Sequence, residues 1–587
     1  MTIEGVTIVD GTGAPARVGD VAIDSGRIVA VTEPGAAAAV AGTSSKVIDG
    51  TGLVVAPGFV DLHTHYDAQL MWDPTASPSP LHGVTTVFGG NCGFGLAPAG
   101  DEHADYLARL MARVEGIPLA AIEAGVSWDW RSFAEWIARI ERQGIGVNAG
   151  FLAGHSAVRR QVMGADAVGA EATPGQIEAM VAELRSMLAS GAMGFSTSRS
   201  HTHNDGDGQP VPSRAASDAE VLALCKAVGE FPGTQLEAIV PGCINGFSHA
   251  EMQLLASMST AAQRPLNWNV LGVAGGEGHL RQLEASEVAL RHGGRVVALT
   301  LPQSMRIRLS FLSGMVLDAF PGWAEFFGLS VADRIAALRD PAVRRRLDDG
   351  AQSPEAGLIG LLANWKRLRI VETFAPQCGG FEGRTVGEIA QERGVDPFDA
   401  LCDIVVADEL RTGIAPEMPP ESPEIWAQRR EVWADPRVII GGSDAGAHLD
   451  MMCGATYSTF LVGPAVRDLG LLPLEEAVRL LTDVPARFYG LRGRGRIEPG
   501  WVADLVVFDP EVVGPGHERT HDDLPGGASR LYATAVGVNH VLVNGIETVC
   551  DGQFTGATPG IVLRSGRDTE TVSVRTAVPL PRTHEEA

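Results

Sequence analysis

Ala56-Pro57-Gly58-Phe59-Val60-Asp61-Leu62-His63-Thr64-His65 runs a short apolar strand directly into a pair of histidines. Side chains at i and i+2 of a strand project to the same face. His63 and His65 therefore aim two imidazoles at one point, the arrangement a Zn²⁺-type ion requires. An H-x-H pair alone is a common surface coincidence. Its surroundings give it weight: Tyr66-Asp67 follows, then Gly83-Val84-Thr85-Thr86-Val87 and Gly89-Gly90-Asn91-Cys92-Gly93. Far along the chain a second brief apolar strand leads to Asp444.

Working outward, seven further segments share the texture of that first strand. Candidate strands fall at 59–62, 85–88, 147–152, 193–196, 234–239, 266–271, 296–300 and 438–440, each apolar and ending in polar or glycine-rich residues. Helical stretches alternate with them, as in a parallel α/β architecture. Ser217-Asp218-Ala219-Glu220 reads as a capping box opening one helix. Eight β/α units favour a TIM (β/α)8 barrel, whose chemistry would lie at the C-terminal strand ends. An open doubly wound sheet is less favoured, because no G-x-G-x-x-G follows the first central strand. Residues 97–144, with Trp128, Trp130 and Trp136, and residues 301–436 are too long for simple crossovers and read as insertions, the second able to cover the barrel mouth.

Residues 1–55 show alternating apolar positions broken by Asp-Gly, Thr-Gly and Ser-Gly, a hairpin pattern. Similar texture returns in 503–509 and 540–545, so the two chain ends are expected to pair into one small β-sandwich domain, 1–55 plus 490–565, around a barrel at 56–489. Residues 566–587 read as an extended or fraying tail.

The chain has 587 residues, 45% of them hydrophobic, enough for a large core and more than one domain. A net charge of −25 argues against binding a nucleic-acid backbone and is an ordinary means of solubility. Seven cysteines, with no C-x-x-C pair, argue against a disulfide framework or a cysteine-cluster zinc site. The start, Met1-Thr2-Ile3-Glu4-Gly5-Val6, lacks a secretory n- and h-region, and no stretch reaches the roughly 18 apolar residues of a membrane span. A cytoplasmic protein with no membrane partner is expected.

The segment 56–65 resembles the first-strand metal motif of the amidohydrolase superfamily. Gly83-Val84-Thr85-Thr86-Val87 with Gly90-Asn91-Cys92-Gly93 is similar to one branch of it, the N-acyl-D-amino-acid deacylases (D-aminoacylases). So are Gly154-His155-Ser156-Ala157-Val158-Arg159, Gly191-Ala192-Met193-Gly194-Phe195-Ser196-Thr197, Gly442-Ser443-Asp444-Ala445-Gly446-Ala447-His448 and Thr482-Asp483-Val484-Pro485-Ala486-Arg487. The match extends over roughly 1–565. It implies a barrel flanked by a β-sandwich and zinc-dependent hydrolysis of an amide in a small acylated amino acid.

Such hydrolysis needs a nucleophile, a polarised carbonyl and a protonated leaving amine. A metal supplies the first two by acidifying water and acting as a Lewis acid, and a neighbouring carboxylate can carry the proton. From the family, His63 and His65 would be ligands, Asp444 a ligand and the general base then acid, and Cys92 a thiolate ligand. Read without the distant H-x-H pair, Asp444 is a turn or N-cap aspartate, and a lone cysteine is a small buried hydrophobe; the pair, and Asn-Cys-Gly following a strand aimed at the same mouth, turn both toward a metal role.

The departures are as informative. D-aminoacylases carry Thr/Ser-His-Ile-Arg at strand five and Ser-His-His-Lys at strand six; here stand Thr234-Gln235-Leu236-Glu237-Ala238-Ile239 and Pro265-Leu266-Asn267-Trp268-Asn269-Val270. Both second-site histidines are missing, and Gly191–Arg199 offers no lysine for carboxylation. One zinc ion per subunit is the better expectation, with Glu237 either a further ligand or an ordinary buried acid. Asn267 and Asn269 become polar contacts. In the loop Arg199-Ser200-His201-Thr202-His203-Asn204-Asp205, His201 and His203 either repair the metal site, bind substrate or form a solvated turn. His155 and His448 are assigned to substrate hydrogen bonding. Arg199, Arg306 and Arg308 are candidates to clamp a substrate carboxylate, and Trp268, Met305 and Phe311 either line an acyl pocket or pack the core. The alternatives are a hydrolase of another C–N bond (cyclic imide, lactam or D-dipeptide) and a non-catalytic scaffold. Homo-oligomer formation stays open.

Overall fold

A computed structural model describes residues 1–36, 46–418 and 420–575. Its centre is α/β. Phe59–Asp61, Val84–Gly89 and Asn148–Phe151 pair in parallel, and a second parallel run orders Ala153–Gly154, Gly194–Ser198, Gln235–Ile239, Leu266–Leu271, Val296–Thr300 and Val438–Ile440 side by side. Leu152 alone separates the two runs in the chain, so the strand expected at 147–152 is one strand broken at its end. At the other extreme, Thr64 bridges Ala445 in parallel, and the Asp444 N–H donates to the His63 carbonyl at 3.2 Å. Eight successive strand positions are thus connected, with the first and last stitched together beyond their C-terminal ends.

Almost every residue of these strands is buried, which is why they read as apolar runs rather than alternating ones. One set of side chains, including Val60, Leu62, Phe88, Met193, Val297 and Leu299, packs in a small cluster closed off by Phe488 and Tyr489. The larger core lies between the strands and helices such as Pro174–Ala189, Asp218–Val228, His249–Ala262 and Gly278–Arg291. The capping box expected at Ser217 forms only by half. Ser217 accepts from the Glu220 N–H, but the Glu220 carboxylate turns inward to His155 and Arg159 instead of returning to the cap.

Both chain ends enter one nine-stranded sheet. Val54–Pro57 is its seam, parallel to Thr2–Ile8 on one side and antiparallel to Leu505–Phe508 on the other, with Val538–Val543 and Ile546–Cys550 continuing outward. Ile3, Val6, Val21, Val55, Leu505 and Leu542 form its apolar layer.

Residues 97–144 contribute the helices Asp101–Val114, Leu119–Gly125 and Phe133–Gln143, with Trp130 and Trp136 buried. Residues 301–436 build a core of their own around Trp323, Trp365 and Phe398, plus a two-stranded ribbon of Leu368–Glu372 and Gly413–Pro416. The stretch 566–575 is no fraying tail. Thr569 is fully buried, bridges Leu491 and donates its hydroxyl to the Gly233 carbonyl at 2.7 Å. The rest of the expected tail, 576–587, lies outside the described residues. All seven cysteines are free thiols, and among the described residues no helix is long and apolar enough to cross a membrane.

Candidate metal centre and its cavity

The histidine pair sits just beyond the first strand, which ends at Asp61. It is the Thr64–Ala445 bridge, with the His65 N–H donating to the Ala445 carbonyl at 2.8 Å, that fixes the direction of both rings. His63 Nε2 lies 3.4 Å from Cys92 Sγ and 3.3 Å from Asp444 Oδ1, and His65 Nε2 is 3.5 Å from the same oxygen. Donor atoms of His63, His65 and Cys92 fall within 4.8 Å of one another, and all three residues are buried. Four residues from three separate parts of the sequence therefore converge.

The backbone is forced to achieve this. Cys92, Asp444 and His448 all take left-handed conformations, with φ of 56°, 55° and 49°. Such positions cost on the order of 1 kcal/mol or more each and persist where surrounding structure imposes them. The turn carrying Cys92 is held by its own N–H donating to Glu237 Oε2 at 2.8 Å and by the Gly93 N–H donating to Ser196 Oγ at 3.0 Å. Beside Asp444 a glycine is obligatory: a Cβ on Gly442 would lie 2.2 Å from Asn269 Oδ1. Asn269 Nδ2 in turn donates to Asp444 Oδ1 at 3.2 Å, and Ser443 Oγ donates to Asp61 Oδ2 at 2.5 Å.

Glu115, from the end of the Asp101–Val114 helix, places Oε2 3.2 Å from His65 Nδ1. A carboxylate on the far nitrogen orients an imidazole and fixes the tautomer that presents Nε2 inward. Burial raises the acids around the site, Glu237 to about 8, Glu115 and Asp61 to about 7, and Asp67 to about 6. Burial lowers His63 to about 3. For His65 burial is outweighed by Glu115 and Asp444, which hold it up at about 9. For Asp444 burial is likewise outweighed, by its hydrogen bond to His65 and the charges of His63 and His65, and its carboxyl stays well below the usual range. Burial, then Glu237, pushes the Cys92 thiol upward. No arginine or lysine among the described residues pairs with Glu115, Glu237 or Asp444.

His63 Nδ1 and Glu237 Oε1 are buried without a hydrogen-bond partner. Two imidazoles, a thiol and a carboxylate around one point, in a pocket rich in acids, fit a divalent ion of the zinc type.

A cavity of about 550 Å³ opens above this cluster, lined by His65, Cys92, Glu115, His203, Asn269, Asp444 and His448, and by parts of the stretch 272–282. His203 is held by Ser198 Oγ at 2.8 Å and packs on Phe94. The other expected contacts lie elsewhere. His201 is exposed on the same turn and does not line the cavity. His155 opens a helix rather than facing the cavity: its ring bonds Thr197 Oγ1 and Glu220 Oε1, both at 2.8 Å, beside the buried Arg159. Arg199 is tied to Asp218 and the Ala216 carbonyl. Arg306 is exposed outside the cavity, and Arg308 is paired with Glu372. Trp268 packs on Phe247 in the core, Phe311 lies in the core of 301–436, and Met305 lies outside the cavity. Among the described residues, none of 301–436 lines the cavity. That segment instead borders a neighbouring pocket with residues 112–119 and 527–531. Asn267 donates to the Leu236 carbonyl.

Glu115 and Asp61 stand in this cluster without having been singled out from the sequence. Glu115 has no fixed spacing from the metal motif, whereas Asp61 extends the i, i+2 series of His63 and His65 and was open to recognition.

The amidohydrolase family model matches residues 46–555. This chain belongs to the amidohydrolase family. Among similar proteins, the D-aminoacylase of Alcaligenes xylosoxydans xylosoxydans is 28% identical over 568 residues, covering 96% of this chain and 97% of that protein. The N-acyl-D-aspartate deacylase of the same organism is 28% identical over 575 residues, covering 96% and 95%. A D-aminoacylase structure described for its binuclear metal centre, with one-metal activation and second-metal attenuation, superposes with a TM-score of 0.63 at 28% identity, over 96% of this chain and 99% of that one. The present amidohydrolase thus resembles the D-aminoacylase branch along nearly its whole length.

Proposed function

We propose that this amidohydrolase is a zinc-dependent enzyme that cleaves the amide of an N-acyl-D-amino acid or a closely related compound. The observation that carries the reading is the convergence of His63, His65, Cys92 and Asp444, the last three of which line the cavity. In this reading the eight parallel strands close into a (β/α)8 barrel with the cavity at its C-terminal mouth. The sheet built from 1–55 and 490–565 is the flanking β-sandwich, and the barrel with its insertions spans 56–489. One ion per subunit is favoured, because Glu237, Asn267 and Asn269 stand on strands where relatives use histidine.

His63, His65, Cys92 and Asp444, with Glu237 as a further donor, would hold a zinc ion, which would supply Lewis acidity toward the amide carbonyl and acidify water. Asp444 accepts the proton of the attacking water while Asn269 holds its carboxylate in place. As the water oxygen bonds to the carbonyl carbon and the C–N bond breaks, Asp444 delivers that proton to the departing nitrogen, leaving an acid and an amine. Glu115 keeps the His65 ring oriented, and His203 and His448 provide hydrogen bonds to the substrate from the cavity wall.

Metal content and turnover on a panel of N-acyl-D-amino acids, their L-enantiomers and cyclic imides test the proposal. Preferential release of amino acid from D-substrates by zinc-loaded protein is expected. Turnover of cyclic imides alone reassigns the substrate, and metal-loaded protein inert to the whole panel overturns the hydrolase reading.

A further inference from the structure

The charged lining of the cavity is lopsided. Its floor carries Asp444 and Glu115, whereas Arg281 is the one arginine or lysine among the described residues that line it. Arg281 is exposed in the first turn of the Gly278–Arg291 helix, and its guanidinium makes no hydrogen bond or ion pair with any described residue. Beside it His279 is only 5% exposed, lines the same cavity, and leaves Nδ1 without a partner. The helix begins at the N-cap Glu277 without a side-chain cap hydrogen bond, and no acidic residue stands within its first turn. Its leading N–H groups therefore lack intrahelical acceptors and carry the positive end of the helix dipole. Gly278, His279 and Arg281 thus all border a cavity whose floor is acidic.

An N-acyl amino acid bears its carboxylate one carbon from the amide nitrogen. To bring that amide to Asp444, the carboxylate must enter the same acidic cavity, where it needs a cation of its own. Arg199 and Arg308 are engaged elsewhere, and Arg306 lies outside. We propose that Arg281, with His279 and the opening N–H groups of its helix, forms the subsite for the substrate carboxylate. Arg281 is then the residue that selects acyl amino acids over neutral acyl amines. The inference rests on the cavity being the amidohydrolase active site.

Calorimetric binding of N-acetyl-D-leucine and of its primary carboxamide tests it, on zinc-loaded protein carrying Asp444→Asn so that ligand persists. The acid is expected to bind more tightly than the carboxamide. Adding Arg281→Ala should weaken the acid about tenfold or more, the loss expected of a charge-assisted hydrogen bond, and leave the carboxamide nearly unchanged. Arg281→Lys should fall between. Equal binding of acid and carboxamide when Arg281 is present, no binding of either, or an acid preference that survives Arg281→Ala overturns the assignment. Turnover by the wild-type enzyme is scored separately. Carboxylate-dependent binding without hydrolysis removes the proposed reaction and keeps the subsite; hydrolysis indifferent to Arg281 does the reverse.

Discussion

Ser196 and Thr197 are neighbours in one strand, and they serve two buried histidine–acid clusters of opposite character. Thr197 faces His155, Glu220 and Arg159, where both ring nitrogens are bonded and Arg159 Nη1 donates to Glu220 Oε1 at 2.6 Å. Burial would raise the Glu220 carboxyl, but His155 and Arg159 outweigh it and the acid is held low. Ser196 braces the turn of Cys92, beside acids that burial raises and that no arginine or lysine among the described residues answers. Equal burial thus yields a sealed structural network on one face and a ligand-ready cluster on the other. What separates them is whether a buried arginine answers the acid.

The sharpest way to break the comparison is at the floor of the cavity. Asp444→Asn keeps an oxygen beside His63 but removes the proton carrier, so kcat should fall on the order of 10²–10⁴-fold while metal is partly retained. His63→Ala should lose metal and activity together. Near-normal kcat in Asp444→Asn, measured alongside metal content, would refute its role as the base.

In the sealed cluster the same kind of cut should strike stability instead. Arg159→Met strands a buried carboxylate and should cost about 3–5 kcal/mol, lowering the melting temperature with metal stoichiometry unchanged. A variant that melts normally but binds less zinc would erase the distinction between the two clusters.

A buried imidazole outside both clusters sharpens it further. His82 bonds Thr459 Oγ1 at 2.7 Å and the Ala533 carbonyl at 3.0 Å, and burial lowers its pKa from 6.5 to about 4. Below 6.5 the unfolded chain takes up a proton that the folded one refuses. Stability should therefore fall as pH drops from about 6.5 to about 4, by roughly 3 kcal/mol in all. His82→Gln should melt with a smaller difference between about pH 7 and about pH 5. An undiminished difference would assign the acid sensitivity elsewhere.

The central strands were legible because burial on both faces leaves a plain signal. The segments at 266–271, 296–300 and 438–440 coincide with the observed strands, and the others differ by one or two residues at one or both ends. His63, His65, Cys92 and Asp444 were legible for a related reason, since each follows such a strand. The same logic misled at His155, which also follows a strand but begins a helix, and helical geometry turns its ring toward Thr197 and Glu220. Glu115 was invisible because it arrives from a helix end whose distance along the chain bears no relation to the motif. Arg199 was a candidate clamp in the sequence, but Asp218 engages it; Arg281 carried no sequence signal.

The seam at Val54–Pro57 carries a consequence for biosynthesis. This segment leaves the ribosome hundreds of residues before Leu505–Phe508, the strand it must pair with. At common elongation rates that is a delay on the order of half a minute or longer. Throughout it, the backbone amides and carbonyls along one border of the nascent sheet are open to any other extended chain. Crowded translation of this protein should therefore make it dependent on chaperones that shield that border until the late strands arrive.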